Sequence, residues 1–182
     1  MPLLSYIDIF DKYIVFIFYD GIREMHNSNY LFTFFSNIEL IIFAIIIFYF
    51  ILKKEYEKVR IFGILSIGII AMFFLWELLI SLLPYRPRPF VSWDFIPLIP
   101  HDPNTSFPSS HAFFFGLTTI FLMIPLMNPF QKWAILVGGM LMCLSRVIAG
   151  LHYPSDIFFG VIFGFFSAFL LLRPIFYKIL YS

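Results

Sequence analysis

Long apolar runs broken by short polar connectors dominate the chain. A helix that crosses a bilayer needs about 20 mostly apolar residues, and five stretches come near that length. They run from about Tyr30 to Leu52, Arg60 to Leu83, Ser110 to Met127, Gln131 to Ala149 and Pro154 to Leu172. Pro125 and Pro129 bound the third stretch, since proline ends a helix where its missing N–H and its ring clash break the ladder. Residues 3–19 follow another pattern. Ser5, Asp8, Asp11 and Lys12 share one helical stripe, with Leu4, Ile7, Phe10 and Ile14 elsewhere. That pattern suits an amphipathic helix lying in the membrane interface, with a sixth span as the alternative. The expected fold is therefore an all-α integral membrane helical bundle of about five transmembrane helices plus the N-terminal helix. It forms one domain over residues 1–182.

Composition strengthens this picture. Hydrophobic residues make up 61% and charged residues 13%, against about 25% charged in a soluble domain. A net charge of +1 gives no case for a nucleic-acid partner. Cys143 is the single cysteine, which excludes an intrachain disulfide and a multi-cysteine metal site; it reads as packing inside an apolar run. No cleavable signal peptide is expected, because the first residues carry Asp8, Asp11 and Lys12 rather than a basic start and a small-residue cleavage site.

Basic residues in short connectors set the orientation. Lys53, Lys54, Lys58 and Arg60 follow the first span and belong in the cytoplasm. Alternation then puts residues 84–109 outside, Lys132 inside, residues 146–155 outside, and Arg173 and Lys178 inside. Arg86, Arg88 and Arg146 break the rule on the outer side, and an anionic ligand accounts for arginines placed there.

Three motifs converge on that face. Tyr85-Arg86-Pro87-Arg88-Pro89-Phe90 holds two guanidinium groups on a stiff, proline-braced segment, and guanidinium forks match phosphate oxygens two at a time. Phe107-Pro108-Ser109-Ser110-His111 opens the third span with helix-start residues, so free amides and the helix dipole gather there as an anion site. Ser145-Arg146, five residues, His152, three residues and Asp156 form the third. An Asp just past a His accepts its N–H, fixes the tautomer and leaves the other nitrogen free to attack. The implied chemistry is attack on phosphorus by His152, oriented by Asp156, with His111 as acid and then base. Arg88, Arg146, Arg86, Ser145 and the region of Ser109 and Ser110 hold the phosphoryl group. No cofactor and no metal is expected, because the arginines already neutralise the anion.

These motifs resemble those of the type 2 phosphatidic acid phosphatase superfamily: a Lys, six residues and Arg-Pro; Pro-Ser-x-His; and Ser-Arg, five residues, His, three residues, Asp. The resemblance runs from the second span to the start of the fifth. It implies removal of phosphate from a membrane lipid at the outer face of a bacterial inner membrane, through a phosphohistidine. Lipid A 1-phosphate, undecaprenyl diphosphate and phosphatidylglycerophosphate are the implied candidate substrates. The sequence departs from the pattern at the lysine, which falls on Ser81 counted from Arg88, or on Leu79 counted from Arg86, and Arg86 is the expected substitute. Ser110 replaces the usual Gly of the second motif. Transfer of the phosphoryl group to another lipid, and lipid binding without catalysis, are the competing functions.

Outside the motifs, Glu77 is expected to pair with an arginine, and Glu39 is a second acid within a span, where charge is expensive. His101 and Asp102 read as solvated loop residues or headgroup contacts. Trp76, Trp93 and Trp133 read as interfacial belt residues.

Overall fold

The structure is a computed structural model that describes residues 2–22, 24, 28–123 and 127–172. Pro125, Arg173, Lys178 and the side chains of Leu4 and Ser5 lie outside the described residues. The regular secondary structure of the described residues is helical, with no strand among them. Helix α1 covers Pro2–Ile22, α2 Ser28–Leu52, α3 Tyr56–Ile80, the single turn α4 Pro89–Ser92, α5 Ser110–Thr118, α6 Pro129–Ile148 and α7 Pro154–Ser167. A 3₁₀ segment, Thr119–Met123, continues α5, and a π-helical turn, Ala168–Leu172, continues α7.

Among the described residues, three helices are long and apolar enough to cross a membrane: Tyr30–Leu52, Tyr56–Ile80 and Pro129–Ile148. Two shorter apolar helices, Ser110–Met123 and Pro154–Leu170, stand beside them. The fold is thus an all-helical membrane bundle; its fifth member is helical from Pro154 to Leu172, as the apolar run suggests, and its third is described as far as Met123. The third tightens at its end for a local reason. Thr118 and Thr119 donate their hydroxyls back to Phe115 O (2.7 Å) and Gly116 O (2.6 Å), which competes with the α-helical ladder. The second span ends at Ile80 rather than Leu83, ahead of Pro84 and the proline-braced segment.

The largest apolar core lies toward the α2–α3 connector. Phe50 and Phe62 flank that connector, and Phe62 stacks on Phe121 at 4.3 Å. The outer faces carry large apolar side chains to the surroundings; Ile67 and Phe74 are each 69% exposed. Exposed apolar surface on this scale marks a lipid-facing wall rather than a water-facing one. Of the three tryptophans, Trp133 points outward, Trp76 stacks inward on Phe113 at 4.1 Å, and Trp93 packs edge-on against Tyr153.

The closest helix pair is α5 with α7, and its cause is glycine. Gly116 on α5 faces Gly164 on α7, where a Cβ added to either would lie 2.1–2.9 Å from backbone atoms of the opposing helix, and a Cβ on Gly160 would lie 2.7 Å from the Ser109 carbonyl oxygen at the start of α5. Gly160 and Gly164 are four residues apart, the spacing that lets membrane helices approach backbone to backbone. The motif helices therefore approach backbone to backbone, with Ala112, Phe115, Ile157 and Val161 packed beside the contact.

Helix α1 carries Asp8, Asp11, Lys12 and Asp20 and is not among the membrane-crossing helices. Asp8 and Lys12 pair with each other on an exposed surface. Asp11, expected on the same polar stripe, is instead fully buried. Val15 packs beneath it against Val147 and Tyr153. The polar stripe is thus divided between the surface and the protein interior.

Candidate active site

Helix caps position the candidate histidines. Ser109 is the N-cap of α5, its hydroxyl accepting from the Ala112 amide. His111 is then the second residue of the helix. The Ser110 and His111 amides have no acceptor within the helix, and both residues line the same cavity. Tyr153 is the N-cap of α7, Pro154 its first residue and Asp156 its third. Asp156 Oδ2 accepts the Tyr153 N–H at 2.8 Å, the reach-back of a capping box. The three-residue gap between His152 and Asp156 is therefore a cap spacing: the histidine precedes the N-cap and the carboxylate folds back beside it.

The five-residue gap between Arg146 and His152 has a backbone origin as well. Gly150 adopts φ +74°, a left-handed conformation natural to glycine at a helix end. The chain then reverses so that the Leu151 and His152 amides both donate to the Arg146 carbonyl, at 3.1 and 3.3 Å.

A cavity of about 700 Å³ opens at this end of the bundle. Arg88, Arg146, His111, His152, Ser110 and Glu77 are among its walls. Glu77 is brought to the cavity that holds Arg88, while Glu39 is fully buried elsewhere, hydrogen-bonded with the Thr118 hydroxyl. His101 also faces the cavity, its Nδ1 set against the Asp102 carbonyl at 3.0 Å. Ser81, where the resemblance places a lysine, lines the cavity too.

His152 is 3% exposed. Its Nδ1 lies 2.8 Å from the Ser106 carbonyl and its Nε2 lies 3.0 Å from Arg88 Nη1. A carbonyl only accepts and a guanidinium only donates. Nδ1 must therefore carry the proton, and the Nε2 lone pair accepts from Arg88 Nη1 at the cavity wall. Burial, followed by the nearby charges of Arg88 and Arg146, pushes the His152 pKa well below the usual histidine value. The neutral ring is the resident form. Here the structure revises one expectation: Asp156 Oδ2 stands 3.7 Å from His152 Nδ1, too far for a hydrogen bond. The tautomer is fixed by the Ser106 carbonyl, while the Ser106 hydroxyl donates to Asp156 at 2.7 Å. Sequence reasoning missed Ser106, which lies between motifs and contacts the site through its backbone as much as its side chain.

The arginines divide into two groups. Arg88 donates from Nε to Asn104 Oδ1 (2.8 Å) and from Nη1 to Leu151 O (2.9 Å). Burial draws its pKa down to about 10, against the opposing pull of Asp156, Tyr85 and Glu77, so it stays charged at neutral pH. Arg146 donates from Nη1 to Ser36 Oγ at 3.2 Å, and its buried Nε has no protein partner. Ser36 belongs to α2. The Ser145 hydroxyl donates to Met142 O, so Ser36 donates to Ser145 in turn. Ser145 thus orients the residue that holds Arg146, and neither Ser145 nor Ser109 lines the cavity.

Arg86 departs from its expected place in the phosphate-holding set. It does not line the cavity. Nη1 donates to Asp156 Oδ1 (2.5 Å) and Ser155 Oγ (2.8 Å), and Nη2 donates to Asp11 Oδ2 (2.8 Å). Its guanidinium also lies over the Tyr153 ring, 4.2 Å from the centroid. The physical reason is direct: two buried carboxylates hold a cation more firmly than an open, solvated cavity does. Burial opposes the charge on Arg86, yet Asp156 and Asp11 together keep its pKa above the ordinary value.

Comparison with known proteins agrees with the motif layout. A family model described as the PAP2 superfamily matches residues 62–180. The undecaprenyl-diphosphatase BcrC of Bacillus subtilis (strain 168) is 35% identical over 95 residues, 52% of this chain and 48% of that protein. A lipid A 1-phosphatase of Rhizobium johnstonii is 33% identical over 72 residues, 40% of this chain and 29% of that protein. The matched region thus spans about half the length of these curated relatives, or less. The crystal structure of Aquifex aeolicus LpxE is similar in fold, with a TM-score of 0.53 over 87% of this chain and 92% of that one, at 21% identity.

Proposed function

The chain belongs to the PAP2 superfamily, and on that premise we propose that it is a membrane lipid phosphatase acting through a phosphohistidine on His152. One observation carries the reading: a buried, neutral histidine whose Nδ1 is engaged by a carbonyl and whose unprotonated Nε2 meets Arg88, in the wall of a cavity that also holds Arg146.

In the proposed first step, Nε2 attacks phosphorus, a P–N bond forms and the P–O bond to the lipid breaks. His111 gives the departing oxygen its proton. The phosphorylated imidazole gains positive charge, and the Asp156 carboxylate, 3.7 Å from Nδ1, stabilises it through space. In the second step His111 takes a proton from water, the oxygen attacks phosphorus, the P–N bond breaks and phosphate leaves. Arg88, Arg146 and the first amides of α5 hold the equatorial oxygens throughout. The basic connector between α2 and α3 lies at the far end of α3 from the cavity, which supports a cavity open to the outer, periplasmic face of a bacterial inner membrane.

Undecaprenyl diphosphate and lipid A 1-phosphate, the substrates named by the relatives, head the substrate list, followed by phosphatidylglycerophosphate. The test is a panel of these lipids presented to the purified protein, with release of free phosphate as the readout, alongside His152→Ala. The wild type should turn over at least one of them without an acceptor lipid, and His152→Ala should lose at least about 10³-fold in rate. Unchanged turnover by His152→Ala would remove the nucleophile. Phosphate appearing only when an acceptor lipid is present would make the protein a transferase.

A further inference from the structure

We propose that Asp11 and Arg86 form a positioning pair for Asp156, so that α1, a helix outside the family match, completes the reaction centre. The proposal rests on the reading of His152 as nucleophile.

Asp11 is fully buried and has more than one tie. Oδ1 accepts the Ser155 amide at 3.0 Å, and Oδ2 accepts both Arg86 Nη2 at 2.8 Å and the Ser155 hydroxyl. Ser155 is the second residue of α7, immediately before Asp156. Asp11 therefore caps the start of α7 from another helix and holds one arm of Arg86 at the same time. The other arm of Arg86 holds Asp156 Oδ1. The Arg86 carbonyl accepts the Ser106 amide at 2.8 Å, and Ser106 is the residue that grips the His152 ring. One arginine thus spans the carboxylate and the segment that fixes the imidazole.

Charge gives the pair a role beyond packing. Arg86 alone against Asp156 would cancel the carboxylate that faces His152. With Asp11 present, two carboxylates share one guanidinium, and the trio keeps a net charge of −1. That negative charge stands where the phosphorylated imidazole becomes positive. The same arrangement explains why Arg86 lies away from the cavity while Arg88, two residues on, lines it. Arg86 acts on the reaction through Asp156, not by touching phosphate.

The test separates this role from phosphate binding. Asp11→Asn, Asp11→Glu and Arg86→Lys are compared with wild type in detergent micelles, using a short-chain prenyl diphosphate as substrate and orthovanadate as a phosphate-site probe. Asp11→Asn and Arg86→Lys should each lose roughly tenfold to a hundredfold in kcat, the scale of a misplaced reacting group. KM and the vanadate inhibition constant should stay within about twofold, and Asp11→Glu should recover part of kcat. Each variant is checked for a monodisperse size-exclusion peak, and the vanadate constant reports only on folded protein. Wild-type kcat in Asp11→Asn would overturn the proposal. A raised vanadate constant with kcat preserved in Arg86→Lys would also overturn it, by making Arg86 a phosphate ligand. His152→Ala in the same assay keeps the underlying reading separate: activity there removes the nucleophile, whereas an inactive His152→Ala beside a fully active Asp11→Asn removes only the positioning pair.

Discussion

Replacing Gly164 with alanine should separate the two halves of the site. The added Cβ would sit 2.1 Å from the Phe113 carbonyl oxygen, 2.9 Å from Gly116 Cα and 2.9 Å from the Leu117 nitrogen. All three are backbone atoms, so no rotamer change relieves the clash. Ordinary contact begins at 3.4 Å, and 3.4 − 2.1 gives a parting of 1.3 Å between α5 and α7 at this level. Helix α5 carries His111, and α7 carries Asp156 next to His152. Overpacking of this kind costs about 1–3 kcal/mol, and a displacement of about 1 Å at reacting groups costs about 10²-fold in rate. Gly160→Ala should be milder, since its nearest atom, the Ser109 carbonyl oxygen, lies at 2.7 Å and 3.4 − 2.7 leaves 0.7 Å to find. Gly63→Ala on α3 meets nothing within 4 Å and serves as the control. The assay is the initial rate of phosphate release from a lipid phosphate, with a thermal midpoint for each variant. The expected order of damage is Gly164→Ala, then Gly160→Ala, then Gly63→Ala at wild-type rate. A Gly164→Ala protein with wild-type kcat and thermal midpoint would refute the claim that glycine contact sets the site.

Other consequences follow from the same geometry. Because burial, Arg88 and Arg146 hold the His152 pKa below its usual value, the neutral form of the proposed nucleophile persists as pH falls through about 6.5, so the acid limb assigned to His152 in kcat/KM should lie below that; a His152-dependent limb at or above it contradicts the assignment. The same shift means an unfolded chain takes up the proton first, so this histidine's contribution to stability is present above about pH 6.5 and is lost as pH falls below it, which a pH series of denaturation midpoints reads out. Ser81→Lys places a cation on the cavity wall and should tighten orthovanadate inhibition by about tenfold, or about 1.4 kcal/mol; no change would show that the wall at Ser81 does not reach the bound anion. Thr118→Val removes the hydroxyl that bonds buried Glu39 and should cost about 1–3 kcal/mol, whereas Glu39→Gln, which places an uncharged amide of the same size there, should hold the thermal midpoint.

The parts of the site that were legible in sequence are those whose geometry is local. His152 and Asp156 are joined by a helix cap, Arg146 and His152 by a turn through Gly150, and Ser109 and His111 by the first turn of α5. Spacing encodes such relations because a cap or a turn fixes distance over four to seven residues. Asp11, Ser36, Asn104 and Ser106 had no such signal. Asp11 meets Ser155 across 144 positions, and Ser36 meets Arg146 across 110. Helical periodicity placed Asp11 correctly on a polar stripe, but a stripe does not say whether it faces water or a buried arginine. The 3₁₀ segment was hidden for a related reason: hydropathy counts apolar residues and does not see the Thr118 and Thr119 hydroxyls turning back on α5.

Arg86 shows the same limit in electrostatic form. A guanidinium near a proposed phosphate site reads as a ligand in sequence, because sequence counts cations and not the carboxylates that have already taken them. By that count three arginines met the phosphate, and the missing lysine at Ser81 was covered by Arg86. In the folded protein, two carboxylates hold Arg86, and the cavity keeps Arg88, Arg146 and the amide end of α5. The lysine position is therefore left unreplaced, and the cation that was to replace it is bound to Asp156, the carboxylate beside the proposed nucleophile His152. An arginine moved from phosphate to Asp156 changes what its loss should do. Loss of a ligand weakens anion binding, while loss of a positioning partner slows the step in which His152 becomes charged. For that reason the vanadate constant and kcat, measured on the same Arg86 variant, carry more information about this site than activity alone.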